Sequence, residues 1–215
     1  MSLWAIVPVK PLAEGKSRLS AILSNDERVK LNRTLLQQAL SILSSLPEIE
    51  RILVINRDPD VAAEAATAGA QSIPEEDWGL NSALTQATSM AIALGVDRLL
   101  ILPADLPLLR REGVQTLLSL TGTPPEVIIA PDRWGRGTNA LYVSPAGLID
   151  YCFGDHSLAG HTEQARALGA RVVYHESPDL AMDLDTPDDF LAIQSILARE
   201  ANSDHKYHHR LLLEA

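Results

Sequence analysis

Three aspartates occupy positions in which they could hold a divalent cation. Asp105 follows the apolar run Arg98–Leu102 and lies between two prolines that fix the backbone. An α/β enzyme commonly presents a magnesium ligand at the end of such a strand, because Mg²⁺ prefers oxygen ligands. Asp183 and Asp185 are two residues apart, so their side chains share a face of an extended segment. Three carboxylates from two loops indicate a Mg²⁺ site, whereas the competing interpretation of Asp105 is that it caps the next turn or helix.

The segment with the aspartate pair also carries the signature of a helix start. Thr186 suits the N-cap, Pro187 suits the first helical position, and Asp189 stands three residues after the threonine. This capping does not require Asp183. Asp183 and Asp185 therefore remain available for metal binding even if Thr186 and Asp189 cap the helix.

A basic loop follows the first apolar run. It contains Lys10, Lys16 and Arg18, and its Gly15 and Ser17 can expose backbone N–H groups. Phosphoryl transfer needs such donors, because negative charge on phosphate oxygens must be offset by groups already in position. The spacing matches neither the P-loop nor the G-x-G-x-x-G fingerprint. The loop is a candidate phosphate site, and a solvated basic loop explains the same residues.

Two further loops combine glycine with small polar side chains. Thr138 and Asn139 follow a pair of glycines directly before an apolar run, which suits a small polar substrate and equally suits a plain turn between strands. Gly154, Ser157 and His161 lie at a predicted loop-to-helix entry, where N–H groups could hold a phosphate or carboxylate. The competing interpretation makes Ser157 a helix cap and His161 a surface residue.

Asn81 and Ser82 begin another predicted helix, directly after a glycine and a leucine. Their side chains could bond the edge of a purine or cap the helix. On spacing alone, capping is favoured.

Short runs rich in Val, Ile and Leu alternate along the chain with segments of helical period. The predicted strands are Leu3–Val9, Arg51–Asn56, Arg98–Leu102, Val127–Pro131, Ala140–Val143 and Arg171–His175. The predicted helices are Ser24–Leu46, Val61–Ala68, Leu80–Leu94, Glu112–Leu120 and His161–Leu168. The alternation predicts a three-layer α/β/α fold, in which helices cover both faces of a mainly parallel sheet and ligands bind beyond the carboxyl ends of the strands.

No linker or internal repeat divides the chain, so we expect one domain over residues 1–199 and a tail over 200–215. Three histidines of the tail could bind metal: His205, His208 and His209. A mobile tail, or one docked by its leucines, is the simpler interpretation. The exposed leucines make a homodimer conceivable.

The composition excludes several classes of protein. Of 215 residues, 46% are hydrophobic and 21% are charged, which is ordinary globular usage. The net charge of −10 has the wrong sign for a protein that coats nucleic acid or an anionic membrane. Cys152 is the only cysteine, which excludes an intrachain disulfide. With no apolar stretch of roughly 20 residues and no signal-peptide pattern, we expect a cytoplasmic protein.

The motifs, taken in order, resemble one enzyme family. The series is V-P-V-K-P-x-x-x-x-K-S-R-L, G-L-N-S-A-L, P-A-D-L-P, G-R-G-T-N-A-L, F-G-x-x-S-x-x-x-H and D-L-D-T-P-x-D, from about Ala5 to Phe190. It is similar to the guanylyltransferases that activate a phosphorylated three-carbon acid in the biosynthesis of the deazaflavin coenzyme F-420. Single motifs such as D-x-D are shared by many nucleotidyltransferases, whereas the ordered series is specific.

The resemblance implies a nucleotide-diphospho-sugar transferase fold of the glycosyltransferase-A-like type, with GTP and a phosphorylated three-carbon acid as substrates. GMP would pass to the phosphate of phosphoenolpyruvate, 2-phospho-L-lactate or 3-phosphoglycerate, with release of pyrophosphate. By the same resemblance, Mg²⁺ would be held by Asp105, Asp183 and Asp185, and the GTP phosphates would be bound by Lys10, Lys16 and Arg18. Guanine would be bound by the loop around Asn81. The acceptor acid would be bound by Thr138, Gly154 and Ser157.

Two alternatives stay open at this point. One is a different nucleotidyltransferase of the same fold, such as a molybdopterin or sugar nucleotidyltransferase, which differs in its acceptor. The other is a non-catalytic α/β binding module whose carboxylates only cap helices. Magnesium-dependent binding of GTP would separate the second alternative from an enzyme.

Overall fold

The structure is a computed structural model that describes residues 2–201, and within this range the strands form one seven-stranded sheet. The strands are β1 (Leu3–Pro8), β2 (Arg51–Asn56), β3 (Gln71–Pro74), β4 (Arg98–Ile101), β5 (Glu126–Pro131), β6 (Thr138–Ser144) and β7 (Arg171–Tyr174). Their order across the sheet is β3-β2-β1-β4-β6-β5-β7. Among them β6 runs antiparallel to β4 and β5, and the other pairings are parallel. The predicted mainly parallel sheet is confirmed.

Helices connect the strands on both faces of the sheet. They are α1 (Asn25–Ser44), α2 (Pro59–Thr67), α3 (Leu80–Ala93), α4 (Arg111–Ser119), α5 (Ser157–Ala167), α6 (Pro178–Ala181) and α7 (Pro187–Ala201). A short 3-10 helix, Ser17–Ala21, lies within the basic loop after β1. Helix α1 begins where the sequence places its start, because Ser24 and Glu27 form a reciprocal capping box.

Two apolar cores lie on opposite faces of the sheet. In β1, Leu3, Ala5 and Val7 pack on one face with α1, α2 and α4, whereas Trp4 and Ile6 pack on the other with α3 and α5. This alternation is what an extended strand imposes when both of its faces are covered. A smaller cluster packs the 3-10 helix against α1 and α7. The predicted three-layer α/β/α arrangement is confirmed.

The structure adds two elements to the predicted set and changes the start of a third. Strand β3 was not predicted because only Ile73 of its four residues is buried, so the sequence shows no apolar run there. Helix α5 begins at Ser157 rather than at His161. Gly160 lies inside that helix and serves close packing, since a Cβ there would lie 2.7 Å from Cys152 Sγ. Helix α6, a single turn, was also not predicted.

Helix α7 continues to Ala201, beyond residue 199, where the domain was expected to end. The prediction of one domain followed by a tail stays a prediction, because residues 202–215, including the three tail histidines, lie outside the described residues. Within residues 2–201, no helix has the length and apolar character needed to cross a membrane.

Candidate active site

The carboxyl edge of the sheet gathers the predicted site residues. The basic loop leaves the end of β1, and Asp105 follows the end of β4. Strand β6 runs in the opposite direction, with Leu141 opposite Ile101, so that its first residue, Thr138, lies at this same edge. The reversed strand therefore brings its first residue, rather than its last, to the edge where the site lies.

Lys16 lies at the centre of a charge cluster. It is the N-cap of the 3-10 helix with a φ of 56°, a left-handed conformation that is uncommon outside glycine. Its side chain is 7% exposed, and Nζ donates to Asp105 Oδ2 at 3.1 Å and to Asp185 Oδ1 at 3.2 Å. Burial alone would lower the pKa of Lys16, but attraction to Asp105 and then to Asp185 outweighs burial and raises the pKa. Lys16 is a buried ammonium between carboxylates from two distant segments.

Asp183 completes the group of carboxylates. Its pKa is raised to about 6, first by burial and then by repulsion from Asp105 and Asp185. The two segments are also joined through the backbone, since the N–H of Leu184 donates to the carbonyl oxygen of Asp105 at 3.0 Å. The structure thus brings the three aspartates of the predicted metal site into one place.

The donor chemistry of this cluster fits Mg²⁺, because its members are carboxylates from loops at one edge of the sheet. Within residues 2–201, however, no group of three or more His, Cys, Asp or Glu side chains is arranged to hold a metal ion. The ammonium of Lys16 lies between Asp105 and Asp185 and supplies positive charge there. Lys16 Nζ contacts Asp105 Oδ2 and Asp185 Oδ1, so a cation would use the other oxygen of each carboxylate together with Asp183.

Asp189 fixes the segment that carries Asp185. Its Oδ2 accepts hydrogen bonds from the N–H of Asp185 at 3.1 Å, the N–H of Thr186 at 2.7 Å and the hydroxyl of Thr186 at 2.8 Å. Its other oxygen pairs with the guanidinium of Arg133. Burial favours the neutral acid, but the hydrogen bonds from Thr186 and Asp185 outweigh burial and lower the pKa of Asp189. The predicted helix start at Thr186 is confirmed, and it also orients a candidate metal ligand.

A cavity of about 330 Å³ opens beside the charge cluster, a volume within the range of about 300–1,000 Å³ typical of small-molecule sites. Its lining includes Lys10, Lys16 and Asp105 near the ends of β1 and β4, and Arg57, Glu75 and Trp78 near the ends of β2 and β3. Lys10 is exposed and lines the cavity. Arg18 is exposed on the 3-10 helix and is not among the lining residues. The basic loop therefore offers the cavity two of its three predicted cations.

Asn81 joins the start of α3 to the loop that contains Phe153. Its Nδ2 donates to the carbonyl oxygen of Phe153 at 3.1 Å, and its Oδ1 accepts from the N–H of Phe153 at 2.8 Å. Helix α3 is capped at Gly79 with no side-chain hydrogen bond, so the interpretation of Asn81 or Ser82 as the cap is wrong. Asn81 lies outside the cavity lining, whereas Gly79 and Leu80 from the same helix start lie within it.

Thr138 and His161 form a buried pair. The N–H of Cys152 donates to His161 Nε2 at 3.1 Å, so the proton of the ring is on Nδ1, which lies 3.0 Å from Thr138 Oγ1. Burial lowers the pKa of His161 to about 4, and the ring is neutral near pH 7. The expectation that His161 is a surface residue is wrong, since it is fully buried. With His161 as donor, the hydroxyl proton of Thr138 is free for another acceptor.

Ser157 is the first residue of α5, after a left-handed His156, and no side chain caps this helix. The capping interpretation of Ser157 is therefore wrong. The N–H of Ser157 donates to the carbonyl oxygen of Gly154 at 3.1 Å, and the N–H of Leu158 donates to that of Arg136 at 3.0 Å. These two N–H groups already have protein acceptors. Gly154 itself has a φ of 129°, a conformation that side chains rarely adopt.

The loop before β6 is attached to the segment that leads to the aspartate pair. The side chain of Asn139 donates to the carbonyl oxygen of Leu180 at 2.8 Å, and the N–H of Arg133 donates to that of Ala181 at 2.7 Å. Thr138, the neighbour of Asn139, is thus held next to the segment preceding Asp183. Hydrogen bonds therefore join the loop that carries Thr138 to the segment that precedes the aspartate pair.

Arg57, Glu75 and Trp78 line the cavity and are not among the site residues predicted from the sequence. Arg57 pairs with Glu14 at 2.7 Å and with Glu75 at 2.8 Å, and its guanidinium lies 4.0 Å from the ring centre of Trp78. The available signal for Arg57 was its position directly after a predicted strand. Glu75 and Trp78 follow β3, the strand that was not predicted, so no pattern placed them at the functional edge.

Comparison with known proteins places the chain among nucleotidyltransferases. A phosphoenolpyruvate guanylyltransferase of Rubrobacter xylanophilus is 39% identical over 195 residues, which cover 91% of this chain and 95% of the relative. A 2-phospho-L-lactate guanylyltransferase of Methanothermobacter thermautotrophicus is 36% identical over 190 residues, covering 88% and 82% of the two chains. A solved structure from Desulfovibrio desulfuricans G20, described as a nucleotide-diphospho-sugar transferase, has a TM-score of 0.76 at 18% identity and covers 100% of this chain and 95% of that one.

The structural likeness confirms the nucleotide-diphospho-sugar transferase fold that the motif series implies. The family model described as "Guanylyl transferase CofC like" matches residues 3–214 and so extends beyond the Ala5–Phe190 stretch of the motifs into the tail. On the extent of this match and the identity of its relatives, the chain belongs to the guanylyl transferase CofC-like family of enzymes.

Proposed function

We propose that this protein transfers GMP from GTP to the phosphate of a phosphorylated three-carbon acid and releases pyrophosphate. The observation that carries the proposal is the placement of Lys16 between Asp105 and Asp185 at the wall of the cavity. Such a cluster of fixed opposite charges is suited to a nucleoside triphosphate with its cation. The relatives named for this activity, at up to 39% identity, support the same reaction.

The chemistry follows from the charges of the reactants. An oxygen of the acceptor phosphate attacks the α-phosphorus of GTP in line, a new P–O bond forms, and the bond from the α-phosphorus to the β-bridging oxygen breaks. The acceptor phosphate is already ionised near pH 7, so no general base has to remove a proton. Two anions must approach each other, and the ammonium groups of Lys10 and Lys16 reduce their repulsion and stabilise the departing pyrophosphate.

Magnesium is part of this proposal. Asp105, Asp183 and Asp185 would hold Mg²⁺, as their carboxylate chemistry and shared location support. The ion would supply further neutralisation of phosphate charge. Asp189 would keep Asp185 in position through its hydrogen bonds to the backbone of residues 185 and 186.

The acceptor acid would bind to Thr138, Gly154 and Ser157. The hydroxyl of Thr138 is available as a donor because His161 donates to its oxygen. We propose phosphoenolpyruvate as the acceptor ahead of 2-phospho-L-lactate, since the relative named for the former is 39% identical and the one named for the latter is 36% identical. The product would serve the biosynthesis of coenzyme F-420.

The direct test is an incubation with MgCl₂, GTP or CTP, and each of phosphoenolpyruvate, 2-phospho-L-lactate and 3-phosphoglycerate, followed by measurement of pyrophosphate. We expect release with GTP and phosphoenolpyruvate that depends on both substrates and is lost with EDTA. Release with CTP but not GTP, or with none of the three acids, would contradict the proposal.

A further inference from the structure

We propose that Glu75 is the specificity-determining residue that selects guanine, by accepting hydrogen bonds from the N1–H and the 2-amino group of the base. The inference rests on the proposed function, since it assigns one end of the same cavity to the base of GTP. The motif series implies that the enzyme uses GTP, and Glu75 would be the residue that selects guanine over other bases.

The order of the strands places the two ends of the cavity. Lys16 and Asp105 belong to loops after β1 and β4, whereas Arg57 and Glu75 follow β2 and β3, on the other side of β1 in the sheet. All four residues line the same cavity. With the phosphates at the lysine end, the ribose and base extend toward β2 and β3.

The position of Glu75 is fixed by its backbone and its side chain. Its N–H donates to the carbonyl oxygen of Asn56 at 2.8 Å. The side chain is 10% exposed, Oε2 accepts from Arg57 at 2.8 Å, and Oε1 accepts from the N–H of Gly79 at 3.3 Å. A carboxylate has about four acceptor positions, so two remain beyond these contacts. The cavity wall therefore presents an oriented acceptor that cannot donate.

The edge of guanine is complementary to such an acceptor. Guanine carries two adjacent donors, N1–H and the 2-amino group, beside the acceptor O6. Adenine instead places a lone pair at N1, which a carboxylate repels. A site built around hydrogen bonds rejects an analogue that leaves its buried groups unpaired. Glu75 thus favours guanine and disfavours adenine with the same two oxygens.

Arg57 and Trp78 complete the surroundings of the base. The guanidinium of Arg57 is tied to Glu75 and can donate to O6, the acceptor next to the two guanine donors. The side chain of Trp78 lines the cavity, is 80% exposed and has Arg57 4.0 Å from its ring centre. A large exposed aromatic at a cavity wall offers a stacking surface for a purine.

The chain offers a matched control for the ion pair. Glu14 pairs with the same guanidinium at 2.7 Å, but its side chain is 52% exposed and it is not among the residues that line the cavity. Glu14→Gln and Glu75→Gln therefore each remove one carboxylate partner of Arg57. Only the second changes a group that faces the base.

The test measures dissociation constants of the full-length protein for GTP, ITP, XTP and ATP by titration calorimetry with MgCl₂. Wild type should bind GTP roughly 10- to 100-fold more tightly than ITP, which lacks the 2-amino group, because a hydrogen bond to a charged group is lost. In Glu75→Gln the preference for GTP over ITP should fall to about threefold or less. XTP should bind to this variant at least about tenfold more tightly than it binds to wild type, because the glutamine amide can donate to the 2-oxo group of xanthine. Glu14→Gln should keep the ratios of wild type.

Equal affinity of wild type for GTP and ITP would overturn the inference without any variant, and so would unchanged ratios in Glu75→Gln. If the affinity ratios change as much in Glu14→Gln as in Glu75→Gln, Arg57 rather than Glu75 determines the preference for guanine. Because these measurements report binding, absence of GMP transfer in the pyrophosphate assay would contradict the proposed function alone.

Discussion

Replacement of Lys16 by methionine tests how much the cluster of charges contributes to folding and to turnover. Methionine keeps an apolar stem but removes the ammonium that Asp105 and Asp185 share. Removing one partner of a buried ion pair costs about 3–5 kcal/mol. Because the carboxylates of Asp105 and Asp185 are 37% and 47% exposed, water screens part of the repulsion that remains, and we expect a loss of about 1–3 kcal/mol in the free energy of unfolding.

The same variant should lose about 10²- to 10³-fold in turnover, as expected when one positioned charge that stabilises the transition state is removed. Urea unfolding and the pyrophosphate assay measure the two effects separately. Lys10→Met is the control for stability, because Lys10 is exposed and its loss should change the free energy of unfolding by no more than about 0.5 kcal/mol. If Lys16→Met has the stability of Lys10→Met and a turnover within threefold of wild type, the Lys16 ammonium contributes neither to folding nor to catalysis.

Three more predictions concern Asp105, Asp189 and His161. Asp105→Asn should lower turnover by about 10² or more with an unchanged far-ultraviolet circular dichroism spectrum, and wild-type turnover at saturating magnesium would contradict its role. Asp189→Asn should lower the free energy of unfolding in urea by about 1.5–3 kcal/mol, because it weakens hydrogen bonds to a charged acceptor. The control Asp188→Asn, at an exposed neighbouring position, should lower it by no more than about 0.5 kcal/mol. Equal losses in the two variants would argue against the contribution of Asp189. The pKa of His161 is about 4 in the folded protein against the ordinary 6.5, so the unfolded chain binds more protons and the stability from the neutral ring, present above pH 6.5, is lost as the pH falls toward 4. Between pH 7.5 and pH 5, wild type should therefore lose about 2 kcal/mol more in urea unfolding than His161→Gln, and an equal loss in the two proteins would contradict a neutral buried ring.

The sequence predicted the interior of the sheet well, because strands covered on both faces are continuous apolar runs. Strand β2 has the bounds predicted for it, Arg51–Asn56, with five of its six residues buried. Strand β3 lies at the edge of the sheet and has one buried residue, so hydrophobic periodicity carries no information about it. Helix α5 begins four residues before the predicted start at His161 and includes Gly160, where the close approach of Cys152 leaves no room for a Cβ and is a tertiary contact without a local signal.

The candidate site shows the same division between local and tertiary information. Lys16, Asp105 and the D-x-D pair could be found because each lies in a loop after a predicted strand or just before a predicted helix start, at the edge where parallel strands place their ligands. Their common contact through Lys16 Nζ is tertiary and has no local signal. His161 was misassigned for a related reason, since its burial depends on Thr138 and Cys152 in other segments.

In the proposed reaction the α-phosphorus of GTP is the atom attacked. A single-turnover reaction with phosphoenolpyruvate and MgCl₂, run in parallel with GTP labelled at the α- or the γ-phosphate, measures this. We expect the α-label in a product joined to the acid and the γ-label in pyrophosphate, in equal amounts. Release of the γ-label as orthophosphate, or transfer of the γ-label to the acid, would contradict it.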